Sequence, residues 1–286
     1  MPTLRGAPMQ EISVVVLTKN SENTLEDCLK SIVKNKPSEI IIIDDGSTDR
    51  TLEISKKYTN QIYHNGRGVG FGRQLGAEKV NKDLIAYVDS DIILPENFFN
   101  RMLLEKKESG YHAIQAQVLS LKNATYWQWG ADQCRQGVNK PGEQSWVSTT
   151  ATIFDKDVIL KHSFDTLFTA NEDMELSYRL KKKGYRLGTA SVGVYHLYRE
   201  SFKDWARQRV WRGEGRALFI YKYKRTMRGI WLFLKKPGEI LCSPLLSIKY
   251  GQLKLFPYFL LDGIFQEIGM LRELIRLLLA GKRTSC

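Results

Sequence analysis

Cysteine is scarce in this chain, and what there is lies scattered. Cys28, Cys134, Cys242 and Cys286 are far apart and in no metal-ligand spacing, so neither a zinc site nor a disulfide framework is expected; they read as reduced thiols in a cytosolic setting. Long apolar runs are missing too. None approaches the roughly 20 residues that a bilayer-crossing helix needs, so no integral membrane segment is expected. Residues 1–10 lack the apolar core of a secretory leader. The phosphate-binding P-loop is also absent, because no Gly-Lys-Ser/Thr follows the glycine-rich stretch at residues 66–76. Nor does that stretch complete G-x-G-x-x-G: counted from Gly66, Gly68 or Gly70, the last position is Phe71, Arg73 or Leu75. It also follows the third expected strand, whereas a dinucleotide fingerprint follows the first, which argues against a Rossmann dehydrogenase.

What is present begins with charge. The 286 residues carry 43% hydrophobic and 26% charged side chains, an ordinary globular mixture, but a formal net charge of +12. Such an excess calls for an anionic partner: nucleic acid, a phosphorylated substrate or an acidic membrane surface.

The first hundred residues alternate between apolar runs and helical spacing. Residues 12–17 form a largely β-branched run, the pattern of a buried strand, broken by Thr18-Lys19-Asn20-Ser21. Leu25, Cys28, Leu29, Ile32 and Val33 then recur at helical spacing. Residues 39–43 read as a second strand ending in Asp44-Asp45-Gly46, with Thr48 the expected N-cap of a helix to about Tyr58. Residues 61–64 form a short third strand, and the glycine-rich stretch leads into another helix. A fourth strand begins at Leu84 and ends in Asp89-Ser90-Asp91, with Pro95 stopping further pairing. Strand–helix alternation with short loops predicts an α/β fold, a mostly parallel sheet with helices on both faces. Ligands bind beyond the carboxyl ends of such strands, where Thr18, Asp45, Asp89 and Asp91 all fall. Residues two apart on an extended backbone share a side, so both carboxylates of D-S-D are placed to share one hard divalent cation; a solvated acidic turn is the plainer alternative.

The ordered set V-V-V-L-T-K-N with Glu22, I-I-I-D-D-G-S-T-D, G-x-G-x-x-R-Q-x-G-A, Y-V-D-S-D, N-E-D-M-E-L-S-Y-R-L and V-Y-H resembles glycosyltransferase family 2, over roughly residues 11–200. The resemblance implies the GT-A fold and an inverting transfer of one sugar from a nucleotide-sugar to an acceptor hydroxyl; a UDP-sugar is the expected donor, with GDP-mannose the alternative. It also implies nucleotide-sugar contacts at Thr18, Asn20, Glu22, Asp45, Arg73, Asp89 and Ser90, although an acid at a helix start explains Glu22 almost as well. Mn2+ or Mg2+ is implied at Asp91 and Asp89, with His196 an additional ligand. Asp173 is implied as the catalytic base and Glu172 as its support on the acceptor side. Taken alone, Asp173 reads as a helix-capping acid and His196 as a structural histidine.

Periodicity fades over residues 113–146, where Tyr126, Trp127, Trp129 and Trp146 sit among Gln, Asn and Gly; these read equally as a sugar platform or as an irregular packed loop. Strand character returns at residues 149–154. Residues 203–228 hold nine Lys/Arg against two acids, interleaved with aromatics, which would suit a diphosphate. Gln208-Arg209-Val210-Trp211-Arg212 has the letters of the processive Q-x-x-R-W motif in the wrong order, which favours single transfer. The expected catalytic domain is 1–228, with a nucleotide-sugar half at 11–110 and an acceptor half at 111–228. An extension at 229–286 follows. Its stretch 259–279 is apolar but for Asp262, Glu267, Arg272, Glu273 and Arg276. Peripheral contact with the inner face of a membrane is the expectation there, with burial on the catalytic domain or a homo-oligomer contact as competitors. The acceptor is expected to be a glycan or lipid-linked. The rival functions are a basic nucleic-acid-binding protein, for which no binding motif is present, and a catalytically inactive nucleotide-sugar binder.

Overall fold

The computed structural model describes residues 10–120, 125–136, 140–198, 200–224, 226–249 and 251–283. The leader expectation for residues 1–9 and the thiol of Cys286 lie outside them. Two compact units divide the chain: Met1–Leu121, Arg135–Leu167 and Glu172–Leu197 make the first, and Lys122–Cys134, Phe168–Asn171 and Tyr198–Cys286 the second. Residues 198–228, expected within the catalytic domain, group with the extension.

The first unit is built on a nine-stranded sheet among the described residues. Strands β1 (Gln10–Thr18), β2 (Pro37–Asp44), β3 (Ile62–His64) and β4 (Leu84–Asp89) pair in parallel in the order β3-β2-β1-β4. Beyond β4 the sheet turns mixed. β8 (Ala151–Asp155) runs antiparallel to β4, β6 (Ala113–Ser120) antiparallel to β8, and β9 (Leu187–His196) parallel to β6. The short β5 (Ile92–Ile93) and β7 (Gly142–Gln144) both pair antiparallel with β9. The β-branched runs are strands because both sheet faces are covered: Val14, Val15, Val16, Ile41, Ile42 and Ile43 have no exposed surface. Helix α1 (Leu25–Lys34) covers one face with Leu25, Leu29 and Ile32, all fully buried. Each such side chain contributes about 1.5–3 kcal/mol.

Three local readings need correction. Helix α2 spans Thr51–Lys56, and Thr48 is not its cap. The Thr48 N–H donates instead to Asn20 Oδ1 (2.8 Å), while the first helical N–H, on Thr51, goes to Asp49 Oδ1 (3.0 Å). The glycine-rich stretch does not precede a helix; most of it is one, α3 (Val69–Lys79). Its glycines allow close approach to the sheet, since a Cβ on Gly76 would stand 2.5 Å from Val15 Cγ1. Residues 113–146 are more regular than expected, comprising β6, α5 (Tyr126–Gln136) and β7. The remaining helices of the first unit are α4 (Phe98–Ser109), α6 (Lys156–His162) and α7 (Glu172–Lys182).

The second unit is helical. After α5 come α8 (Phe202–Tyr223), α9 (Met227–Leu241), α10 (Ser243–Lys249), a 3-10 turn (Leu253–Leu255) and α11 (Phe256–Arg283). Small residues explain why α8 travels with the tail: Gly213 lies against the backbone of Gln266, and Gly269 against that of Val210, so α8 and α11 cross with backbones nearly touching. The inner face of α11 carries Asp262, Glu267 and Glu273, the acids that interrupt its apolar run, and Ile264, Ile268, Leu271 and Ile275 lie exposed on the other. Among the described cysteines, Cys28, Cys134 and Cys242 are free thiols.

Candidate active site at the strand ends

Register brings the polar strand ends together. Thr18 pairs with Asp44 across β1–β2, and Leu17 pairs with Asp89 across β1–β4. Period-two alternation then separates Asp44 from Asp45. Asp44 is buried and holds its loop, accepting from Thr18 Oγ1 (3.1 Å), Gly46 N (3.1 Å) and Ser47 N (3.0 Å). Asp45 faces the loops, taking Lys19 Nζ (2.9 Å) and the N–H of Gly68 at the head of α3 (3.2 Å). Three other predicted donor residues brace this rim. Thr18 is buried with its hydroxyl committed to Asp44. Asn20, in the left-handed region at φ 49°, takes the N–H of Thr48 through its side chain. Glu22 caps α2 from a distance, Oε2 accepting from Arg50 N (3.2 Å) and Nε (3.3 Å).

The centre of the site is Arg73. Its guanidinium is 5% exposed and bridges two acids, Nε donating to Glu172 Oε1 (2.8 Å) and Nη2 to Asp89 Oδ1 (3.0 Å). Tyr87 donates its hydroxyl to the Arg73 carbonyl (2.9 Å). Nη1 is buried with no hydrogen-bond partner. A buried donor left open in this way can be met by a ligand or a water.

The D-S-D carboxylates part company. The strand stops at Asp89, so Ser90 and Asp91 form a turn and the two-residue rule no longer places both acids on one side. Asp89 goes to Arg73, and Ser90 Oγ meets Ser21 Oγ at 2.9 Å. Asp91 Oδ1 lies 3.6 Å from His196 Nε2, because β5 pairs with the end of β9, Ile92 opposite His196. The expected trio of Asp89, Asp91 and His196 is thus not assembled; among the described residues no group of three or more His, Cys, Asp or Glu gathers as a metal cluster. The pair Asp91–His196 is assembled, and one carboxylate with one imidazole, both mostly buried, fits a divalent cation that takes its other ligands from elsewhere.

Glu172 and Asp173 open α7. Glu172 is buried on Arg73 and within 3.4 Å of Thr149 Oγ1. The geometry makes it a partner of Arg73 before anything else. Asp173 Oδ1 accepts the N–H of Met174 (2.6 Å). Removal from water, and then the negative charge of Glu172, push the Asp173 carboxyl up from an ordinary 3.8 to about 7; Arg73 and the Met174 N–H pull the other way. That is the range of a general base at neutral pH. Thr149, Tyr87 and Lys19 were not anticipated. Lys19 and Tyr87 stood within the quoted motifs V-V-V-L-T-K-N and Y-V-D-S-D; Thr149 did not.

Residues 13–166 match the family model described as glycosyl transferase family 2, more than half of the chain. The chain belongs to glycosyltransferase family 2. Among relatives, the poly(ribitol-phosphate) beta-N-acetylglucosaminyltransferase TarS of Staphylococcus aureus is 26% identical over 228 residues, 66% of this chain and 39% of the relative. The poly-beta-1,6-N-acetyl-D-glucosamine synthase of the same species is 23% identical over 246 residues, 79% of this chain and 60% of that one. The chain therefore spans less than two thirds of these relatives' lengths. Two solved structures share the fold. Mannosyltransferase PcManGT from Pyrobaculum calidifontis, in complex with GDP-Man and Mn2+, superposes with TM-score 0.64 at 13% identity, covering 92% of this chain and 87% of that one. S. aureus TarS 1–349 in complex with UDP-GlcNAc gives TM-score 0.53 at 17% identity, covering 91% and 90%. The architecture is GT-A, as expected.

Within this family 2 chain, two groups of side chains are engaged elsewhere. Tyr126, Trp127 and Trp129 lie on α5 and pack with Trp205 and Tyr258 in the second unit; Trp127 and Trp205 ring centres are 4.5 Å apart. Packing is the role observed. Two arginines of the basic segment are likewise taken: Arg209 Nε lies 3.4 Å from Asp262 Oδ1, and Arg216 pairs with Glu267. These two are committed to α11 and leave the diphosphate to others.

Proposed function

We propose that this enzyme transfers a single sugar from a nucleotide-sugar, preferentially UDP-linked, to an acceptor hydroxyl with inversion, and that Asp173 is its base. The observation that carries the proposal is a carboxyl raised to about 7 beside an arginine fixed by two acids. Asp45 and the rim formed by Thr18 and Asn20 take the nucleoside. Arg73 offers its buried Nη1 to an oxygen of the donor. Ionised Asp173 accepts the proton of the acceptor hydroxyl as that oxygen attacks the anomeric carbon; the bond to the diphosphate breaks and nucleoside diphosphate leaves from the opposite face. Asp91 and His196 would hold Mn2+ or Mg2+, which when bound supplies Lewis-acid neutralisation of the leaving diphosphate.

The donor preference follows TarS, seen with UDP-GlcNAc, while PcManGT, seen with GDP-Man, keeps a guanosine donor open. A glycan or lipid-linked acceptor is the companion reading. With it goes a peripheral place at the cytoplasmic side of a membrane; no helix among the described residues is long and apolar enough to cross one.

Screening UDP-sugars and GDP-mannose for Mn2+-dependent hydrolysis and for transfer tests the proposal. Asp173→Asn is expected to keep donor binding and to lose roughly 100-fold or more of transfer. Asp91→Ala is expected to lose Mn2+-dependent donor hydrolysis. Unchanged transfer by Asp173→Asn sinks the assignment of the base.

A further inference from the structure

The positive charge of this protein is not spread evenly. Residues 201–286 hold seventeen Lys/Arg against six Asp/Glu, while residues 1–200 hold twenty-six against twenty-five. Nearly the whole excess lies in the C-terminal third. All six of its acids are already answered within the chain. Asp204 lies 3.6 Å from Arg207, Glu214 2.9 Å from Arg272 and Glu239 2.6 Å from Lys236. Asp262 lies 2.7 Å from Lys236, Glu267 pairs with Arg216, and Glu273 lies 2.6 Å from Arg276. Lys249 on α10 and Lys254 in the 3-10 turn make no ion pair among the described residues.

The same stretch exposes large apolar side chains. On α9, Met227 (81% exposed), Ile230, Trp231 and Leu234 recur at helical spacing. Leu241 (82%), Leu245 and Ile248 carry the exposure onto and along α10, and Leu253 onto the turn. Trp231, Leu234, Gly238, Cys242 and Leu246 line an apolar groove between the two helices. A surface of this kind marks a docking face.

Charge decides what docks. A second copy presenting the same face would bring another positive excess and, from its own C-terminal third, no unanswered acid to meet it. A nucleic acid would suit the lysines and leave Met227, Leu241, Leu245 and Leu253 in water. A bilayer with anionic headgroups takes both, with apolar side chains at the acyl boundary, lysines on the lipid phosphates and Trp231 at headgroup level. We propose that the α9–α10 face docks on an anionic lipid surface. This rests on the peripheral-membrane reading above and names the lipid chemistry it selects.

The test is co-sedimentation of the full chain with vesicles of phosphatidylcholine alone or with about one third phosphatidylglycerol. The expected result is at least about tenfold tighter binding to the anionic vesicles near 0.1 M salt, lost near 1 M. Leu245→Asp should abolish binding to both vesicles, and Lys249→Glu with Lys254→Glu should erase the preference, all with donor hydrolysis unchanged. Equal, salt-independent binding to both vesicles overturns the anionic selection and leaves the peripheral reading standing. No binding to either overturns both. A dimer in sedimentation equilibrium that Leu245→Asp dissolves gives the face to a second copy and overturns the proposal.

Discussion

Two aspartates, one in each unit, show how burial can be made to serve opposite ends. Asp262 in α11 is held by Lys236 (2.7 Å), Arg209 (3.4 Å) and Gln266 (2.9 Å), and its carboxyl is drawn down to about 2, Lys236 and then Arg209 overcoming the cost of burial. Asp173 in α7 has Glu172 beside it, and its carboxyl rises to about 7. One acid has every need met and binds two helices to α11. The other is kept short of positive charge although Arg73 is near, because Arg73 is divided between Asp89 and Glu172. An acid matched by cations holds a fold; one left short of them is available to a substrate.

The sharpest way to break the comparison is to exchange the losses. Asp262→Ala leaves the charge of Arg209 buried without its carboxylate, while Lys236 keeps Glu239, and is expected to cost about 3–5 kcal/mol in denaturant unfolding, with donor-site chemistry retained in the surviving fold. A cost below about 1 kcal/mol would show that the network is ornamental. Asp173→Asn in the same assay should cost nothing, since it removes a charge that burial and Glu172 oppose.

The pH dependences should run in opposite directions. Asp173 titrates above its ordinary 3.8, so its contribution to stability is full below about pH 4 and is lost as pH rises through about 7. Asp262 titrates below 3.8, so its contribution is full above about pH 4 and is lost as pH falls through about 2. Catalysis needs ionised Asp173, so kcat/KM should climb with pH to a limb near 7. Glu172→Gln, by deleting the negative neighbour, should move that limb downward. A limb that stays in place would break the link between the two acids.

A more modest effect concerns Glu22. As a remote cap of α2 it should cost about 1 kcal/mol when changed to alanine, with the donor KM unchanged. A large rise in KM without loss of stability would return Glu22 to the nucleotide.

Much of the first unit was readable because its signals are local. Buried strands announce themselves as β-branched runs, and their ends as the polar breaks at Thr18, Asp45 and Asp89. The D-S-D pair was misread where the strand stopped one residue sooner than the rule required. The aromatics of α5 and the arginines of α8 were ambiguous because composition records what a side chain is able to do, while its partner here lies on a helix far along the chain.

Sequence alone determined the alternation of strands and helices, the family, and which acids arrive at the carboxyl edge of the sheet, because period two and period 3.6 are properties of neighbouring residues. Tertiary structure decided that Arg73 bridges Asp89 and Glu172, that Asp91 meets His196 and not Asp89, and that Asp262 and Glu267 of α11 are spent on α8 and α9. Each of these joins residues that no local periodicity connects. Strand order and helix crossing choose the partners, and with them which buried charges are settled and which stay reactive.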